Sequence, residues 1–282
     1  MPALGPVEVL FLVAPLAVVP LALRLLDGGS SELRGLRRFQ FPAAALALAA
    51  FFPARGPWAA LWSAGWMLFT LAVAAHGARR LWRGVTAAAI TAGDVAAAGG
   101  CLLLPVGGAW LVLSRSGTTV WGFEEPIPLL TAVHFHYAAF AALTLVAQAG
   151  RVLAGALYRA IVGSALAGPL LVAAGITSTP VLELAGAAIL TAAISTLSVQ
   201  TLVRIVPRSG SAAGSLLAVS SLSALAGMAC ALAYAIGQAT DLGVVSLGQM
   251  ARLHGPLNGL GFCLCGLAGW CLLPRNPGLA HL

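Results

Sequence analysis

The sequence predicts an all-α protein, a polytopic bundle of about nine transmembrane helices that forms one integral membrane domain over residues 1–282. Three observations support this prediction. The chain is 60% hydrophobic and only 8% charged, whereas soluble domains carry roughly 25% charged residues. Apolar runs of about 20 residues, the length that crosses a bilayer core, recur along almost the whole chain. The mean hydropathy of +0.96 leaves no room for a soluble domain between these runs.

Proline and glycine interrupt helices, and the clearest breaks between apolar runs contain both or a glycine with serine. They lie at Pro53–Gly56, Ser114–Gly117 and Pro207–Gly210. The predicted helices cover residues 7–26, 40–54, 57–82, 87–113, 126–149, 155–176, 179–203, 211–237 and 246–273. The second helix is short for a full span, so eight spans result if it does not cross.

All fifteen basic residues are arginines, and their distribution predicts the topology. With the N-terminus outside and the C-terminus inside, only Arg55, Arg115 and Arg252 fall on the outer side, and the other twelve fall inside. This is the bias that the positive-inside rule describes. We therefore interpret the net charge of +7 as a topology signal and expect no nucleic-acid partner.

The five cysteines lie in apolar segments, and none of them forms a CxxC pair. Buried free cysteine behaves as a small hydrophobic residue. We expect neither a disulfide nor a metal role for these side chains.

Two histidines, His134 and His136, lie one residue apart in the otherwise apolar helix 126–149. Ionisable groups at membrane depth are costly and usually face a cavity or the bundle interior. On an ideal helix these two side chains project about 200° apart. We expect one to face a cavity and the other to pack against a neighbouring helix, unless a π-bulge brings them together. The alternative is that both only hydrogen-bond neighbouring helices.

The last predicted helix carries a second polar cluster. His254 and Asn258 share a face at i, i+4, and Arg252 is expected to rim the same pocket. The alternative is a structural clasp beside Gly255-Pro256, where a disturbed helix frees backbone carbonyls that need donors.

With this topology, most intramembrane polar residues collect in the outer half of the bundle. Glu183 lies one turn into helix 179–203, where it either takes part in the site or caps the helix. The candidate catalytic residues are His134, His136, Glu183 and His254. The candidate substrate-binding residues are Tyr137, Arg252, Asn258, Glu124, Glu125 and Thr131.

These side chains suit acid–base chemistry, because histidine titrates near neutral pH and can donate or accept a proton. We expect an intramembrane enzyme that isomerises, cyclises, dehydrates or opens an epoxide in a lipophilic small molecule. The sequence contains no nucleotide-binding loop and no serine hydrolase elbow, and we predict no cofactor. The first alternative is haem or divalent metal ligation through His134 or His136 with His254. The second is a proton-coupled transporter.

The segment Leu130-Thr-Ala-Val-His-Phe-His-Tyr-Ala138 resembles the best-marked segment of the bacterial YndJ-like membrane family, which reads LTAVHFHYAGF. Alanine stands at position 139 in place of the family's glycine. Residues 252–262 are similar to the second marked segment of that family, which has the form HG-x-x-N-x-x-GF. The resemblance implies that His134, His136, His254 and Asn258 belong to one site, and it implies residence in the inner (plasma) membrane. It does not name a chemistry.

Overall fold

The computed structural model describes residues 5–119, 121–240, 242–243 and 245–274. Within these ranges the regular structure is helical, which confirms the predicted all-α class. Nine long helices follow one another along the described part of the chain. They are α1 (Pro6–Leu26), α2 (Ser31–Ala49), α3 (Pro57–Thr86), α4 (Ala92–Ser116), α5 (Ile127–Ala149), α6 (Gly155–Thr177), α7 (Pro180–Arg208), α8 (Ser211–Thr240) and α9 (Leu247–Leu272).

All of these helices except α2 are long and apolar enough to cross a membrane, among the residues that the structure describes. The protein is therefore a multi-pass membrane protein. Most of the predicted boundaries agree closely with the helices. The orientation of the termini stays a prediction.

The predicted bounds of the second helix were wrong. It begins at Ser31, well before the predicted position 40, and ends at Ala49. Ser30 starts the helix by accepting a hydrogen bond from the Leu33 amide at 3.3 Å. Hydropathy detects the apolar stretch that begins at residue 40, of which only residues 40–49, roughly 15 Å, belong to the helix, too short to span a bilayer. The charged first half gives no hydropathy signal and is predicted as a loop.

The chain divides into two compact units. The first contains the chain up to Ile90 together with Ala97–Ala141, and the second contains Thr91–Ala96 and the chain from Ala142 onward. A single domain over residues 1–282 stays a prediction.

In the first unit, α2 and α3 form an antiparallel hairpin that is held at both ends. At the turn between them, Arg115 Nε donates to the Ala50 carbonyl at 3.1 Å. Its guanidinium also lies over the Phe51 ring, 4.7 Å from the ring centroid. At the opposite end, Glu32 of α2 accepts hydrogen bonds from His76 Nδ1, at 3.1 Å, and from Arg79, both on α3. These contacts tie the charged start of α2 to the end of α3.

Four of the helices contain π-helical segments, at Ala14–Val18, Phe135–Ala141, Thr201–Ile205 and Leu257–Cys265. The second and fourth of these overlap the two histidine-containing segments, residues 130–138 and 252–262. A π turn changes the backbone hydrogen-bond register, and such turns are frequent at functional sites.

Side-chain donors serve backbone carbonyls in and beside these segments. Tyr137 Oη donates to the Leu10 carbonyl at 2.8 Å, and the buried Gln40 donates to the Pro15 carbonyl. In the second unit, Ser220 Oγ of α8 donates to the Phe262 carbonyl at 2.7 Å. Since a membrane supplies no water, such donors must come from the protein.

In the second unit, α6 and α7 approach each other so closely that a Cβ atom on Gly175 would meet the backbone of Glu183. Tyr158 Oη donates to the Val146 carbonyl at 2.9 Å. The Arg151 guanidinium lies 5.4 Å from the centroid of the Trp270 ring. Small residues and polar clasps thus hold these helices together, as is usual where lipid replaces water.

The Glu32 contacts predict a dependence of stability on acid pH. Burial raises the pKa of the Glu32 carboxyl, but the hydrogen bonds from His76 and Arg79 outweigh burial and hold the pKa below its ordinary value of 4.5. The contribution of Glu32 is therefore complete above pH 4.5 and is lost as the pH falls through the lowered value. Thermal unfolding of the reconstituted protein, followed down to about pH 3, measures this loss.

We expect Glu32→Gln to lower the melting temperature at neutral pH and to flatten its acid dependence. Glu124→Gln, which removes an exposed carboxylate, is the matched control and should behave as wild type. Equal acid dependence in wild type and Glu32→Gln would contradict the assignment.

Candidate functional site

The sequence-predicted residues fall into two groups, one in each unit. The first unit contains His134, His136, Tyr137, Thr131, Glu124 and Glu125, and the second contains Glu183, Arg252, His254 and Asn258. A cavity shared by both groups stays a prediction.

His136 is completely buried, and both of its ring nitrogens are occupied. Nδ1 lies 2.7 Å from the Ala132 carbonyl, which can only accept, so Nδ1 carries the proton. Nε2 then accepts a hydrogen bond from Trp66 Nε1 at 2.9 Å. The geometry therefore assigns a neutral imidazole with no lone pair left for a substrate or metal.

Aromatic rings enclose the same imidazole. The Trp66 ring stacks on it at 5.9 Å between centroids, and the Phe11 ring meets it edge-on at 5.4 Å. A Cβ atom at Gly107 would lie 2.6 Å from Nδ1, so glycine makes the space for the ring. His136 therefore packs against the neighbouring helices α1 and α3, and a catalytic role for it finds no free ring nitrogen.

His134 differs from His136 in being partly exposed. Its ring meets the Phe135 ring edge-on at 5.8 Å. The π segment begins at Phe135, directly between the two histidines, so the π-bulge considered above is present. A catalytic role for His134 stays a prediction.

The hydroxyl and carboxyl groups of the first unit have structural partners. Thr131 Oγ1 donates to the Ile127 carbonyl of its own helix at 2.9 Å. Tyr137 reaches α1, as described above. Glu125 accepts from Ser114 and lies 4.0 Å from an Arg55 nitrogen, whereas Glu124 is exposed. A substrate-binding role for these residues stays a prediction.

His254 has a different arrangement. Its Nδ1 lies 2.9 Å from the Gly227 carbonyl of α8. Because a carbonyl only accepts, Nδ1 carries the proton and Nε2 is the basic nitrogen. The residue is partly exposed, whereas His136 is completely buried.

Asn258 holds the His254 ring in place. Its Nδ2 lies 2.9 Å from Nδ1 and 3.4 Å from Nε2, and it donates to the His254 backbone carbonyl at 3.3 Å. With Nδ1 protonated, both it and the amide Nδ2 are donors, so the 2.9 Å contact is not a hydrogen bond, and Nδ2 donates instead to Nε2. A Cβ atom on Gly227 would clash with the Asn258 amide, so a glycine is needed at that position.

Glu183 and Tyr234 lie at the same end of the second unit. Thr179 caps α7 by accepting from the Leu182 amide at 3.3 Å, so the Glu183 side chain is not needed as the cap. Glu183 is half-buried, and its carboxylate interacts electrostatically with Tyr234 of α8. Tyr234 follows Gly227 by seven residues, which places it on the same helix face, two turns nearer the end of α8.

Three further observations bound the site. Arg252 is exposed. Among the described residues, no group of three or more His, Cys, Asp or Glu side chains is placed to hold a metal ion. The five cysteines are free thiols.

Sequence reasoning missed Trp66, Gly107, Gly227 and Tyr234. Trp66 lies 70 residues from His136 in the chain, and a tryptophan or glycine in an apolar helix carries no signal of a specific partner. The i, i+7 spacing of Gly227 and Tyr234 becomes meaningful only once His254 is seen against the Gly227 carbonyl.

The comparisons with known proteins agree with the resemblance. The family model described as YndJ-like protein matches residues 9–262. The uncharacterized membrane protein YndJ of Bacillus subtilis (strain 168) is 29% identical over 215 residues, which cover 75% of this chain. The match spans 38% of the length of the Bacillus protein. No solved structure matches the chain.

Replacing Trp66 tests the assignment of His136 as a packing residue. Trp66→Phe removes the donor to Nε2 and leaves a buried acceptor unsatisfied, which costs roughly 1–3 kcal/mol of folding free energy. Trp62→Phe is the matched control, because Trp62 is 44% exposed on the same helix. Thermal unfolding should show a lower melting temperature for Trp66→Phe alone. Equal values for the two variants would contradict the assignment.

Replacing Gly227 tests the His254 clasp. Gly227→Ala should displace Asn258 and release the His254 ring, which changes the chemical shifts of that imidazole in isotope-labelled protein. Gly163→Ala is the control, since a Cβ atom there meets nothing within 4 Å. An unchanged His254 signal in Gly227→Ala would refute the clasp.

Proposed function

The chain belongs to the YndJ-like family of membrane proteins, and we propose that it is an intramembrane enzyme that performs acid–base chemistry on a lipophilic small molecule. One observation carries the proposal: the hydrogen bond from His254 Nδ1 to the Gly227 carbonyl, at 2.9 Å. This bond sets the tautomer and makes Nε2 the basic nitrogen of a half-buried ring, with the Asn258 amide as a long contact at 3.4 Å.

In this proposal His254 is the general base or acid. Asn258 keeps its ring in one orientation, as the third group of a catalytic triad does. Glu183 and Tyr234 provide exchangeable protons at the same end of the unit. Arg252 lies one turn before Pro256 and is exposed, so it is suited to bind a polar end of the substrate.

This set of groups supports reactions that only move protons. One group removes a proton from the substrate, and another returns a proton at a different atom. Isomerisation, cyclisation, dehydration and epoxide opening all have this form. A substrate that enters from the bilayer is lipophilic. We place the enzyme in the inner (plasma) membrane.

The proposal moves the centre of the site from the His134 and His136 pair to His254. Both nitrogens of His136 are occupied by Trp66 and Ala132, so we assign it a packing role. Haem or metal ligation by His136 would require the Trp66 hydrogen bond to break.

The test compares lipid extracts of cells that produce wild-type protein or His254→Ala. We expect one lipophilic species to change its chromatographic retention without a change in mass, or to differ by one water, only with wild type. Removal of a general base typically costs a factor of about 10² to 10⁴ in rate. Leu253→Ala is the control, because Leu253 is 56% exposed on the same helix.

Identical extracts from the two strains, with both proteins folded and equally abundant, would refute the enzyme proposal. The absorption spectrum and the metal content of the purified protein distinguish the ligation alternative. A haem or stoichiometric metal that is present in wild type and lost in His254→Ala would favour ligation.

A further inference from the structure

We propose that the first half of α9, Leu247–Pro256, is a hinged gate that swings away from α8 and admits a lipophilic substrate from the bilayer to His254. The substrate route rests on the proposed function, whereas the hinge motion does not. Three features of this half-helix support the inference. They are its shallow packing, its single clasp to α8 and the weak point that follows it.

The two halves of α9 differ in how deeply they pack. No residue of Leu247–Pro256 is buried, and Leu253 is 56% exposed. In the second half, Phe262, Leu267 and Trp270 are all buried. The second half is therefore anchored in the second unit, whereas the first half lies at its surface. Segments with few buried contacts open with the least free energy.

Among the described residues, one side-chain hydrogen bond joins the first half of α9 to another helix. It is the bond from His254 Nδ1 to the Gly227 carbonyl of α8. The second half has more support, because Ser220 of α8 donates to its Phe262 carbonyl and Gly269 packs closely on the Leu217 side chain of α8. A single hydrogen bond changes an equilibrium by only about three- to tenfold. The clasp is therefore weak enough to open.

The weak point in α9 is at Pro256. Proline has no N–H, so the Arg252 carbonyl lacks the donor that a regular helix provides four residues later. The π segment Leu257–Cys265 follows directly, and helices bend most often at prolines and π bulges. A capping box between Ser246 and Gln249 closes the other end of the half-helix. The segment can therefore move as an intact helix about Pro256.

Opening the gate breaks the hydrogen bond that the proposed base requires. In the closed position, the Gly227 carbonyl holds Nδ1 of His254, and Nε2 is the basic nitrogen. Opening withdraws the ring from Gly227 and from Asn258, which lies beyond Pro256 and packs on Gly227. The tautomer of His254 is therefore set only after the gate has closed. Closure that assembles the catalytic group also keeps water from the reaction.

Hydrogen–deuterium exchange of the full chain in lipid nanodiscs, followed by mass spectrometry, tests the gate. The reference for residues 250–255 of α9 is 229–234 of α8. The contacts of His254 and Asn258 with Gly227 bring these two segments side by side, and buried Met228 and Ala235 anchor the reference at both ends. We expect the amides of 250–255 to exchange at least about tenfold faster than those of 229–234. Equal rates would overturn the proposal.

Gly227→Ala should shift the gate toward the open position, because a Cβ atom at that position would clash with the Asn258 amide beside His254. The loss of one hydrogen bond predicts about three- to tenfold faster exchange in 250–255 and no change in 229–234. Gly163→Ala is the control and should exchange as wild type, since its Cβ atom meets nothing within 4 Å. An unchanged rate for 250–255 in Gly227→Ala would contradict the gate.

A reversible cross-link gives a second test that does not require Gly227→Ala to fold. Ala231 lies one turn after Gly227 and Ala251 lies three residues before His254, so both are next to the clasp. A disulfide in Ala231→Cys/Ala251→Cys should slow the exchange of 250–255 to the rate of 229–234, and a reductant should restore the faster rate. Each single cysteine variant is a control and should exchange as wild type.

Fast exchange of 250–255 in the fully oxidised double variant would overturn the proposal, because the motion would then not be a separation from α8. These exchange rates decide the gate whether or not the lipid extracts of wild type and His254→Ala differ. Failure of the gate and failure of the proposed function are thus distinguished.

Discussion

The structure depends on one constraint: within a membrane, every backbone carbonyl that leaves the regular helix pattern must find a donor in the protein. The π segments of α1, α5 and α9 create or accompany such carbonyls. Side chains on neighbouring helices donate hydrogen bonds to these carbonyls, namely Tyr137, Gln40 and Ser220. Most of the polar side chains in these helices are therefore explained by backbone chemistry before any function is considered. A residue is therefore a functional candidate only if it has a polar group that backbone hydrogen bonding does not use.

The two best candidates separate on that criterion. His136 gives one nitrogen to the Ala132 carbonyl and the other to Trp66, and it is completely enclosed. His254 also gives Nδ1 to a backbone carbonyl, but its ring is half-buried, and the Asn258 amide holds it in place. The same side chain type thus serves packing in one unit and supports a proposed catalytic role in the other. The decisive difference is the donor to the second nitrogen: Trp66 Nε1 lies 2.9 Å from His136 Nε2, whereas the Asn258 amide lies 3.4 Å from His254 Nε2.

The charged residues at the two ends of the α2–α3 hairpin also have structural partners. Arg115 satisfies carbonyls at the hairpin turn, and Glu32 joins His76 and Arg79 at the other end. In both contacts the charged group has its partner within the protein. The proposed function of this member of the YndJ-like family rests instead on the second ring nitrogen of His254.

The membrane class and most helix boundaries could be predicted from the sequence, because apolar runs of bilayer length and proline or glycine breaks are local properties of the chain. It failed at the start of α2, where the Ser30 cap and a charged first turn extend a helix that hydropathy cannot detect. It singled out two histidine segments, each of which overlaps a π segment in the structure. Two facts are visible only in the folded structure: Trp66 donates a hydrogen bond to His136, and His254 lies against the α8 face that contains Gly227 and Tyr234. Those partners lie on other helices, and their choice depends on which faces pack together, a property that no local pattern encodes.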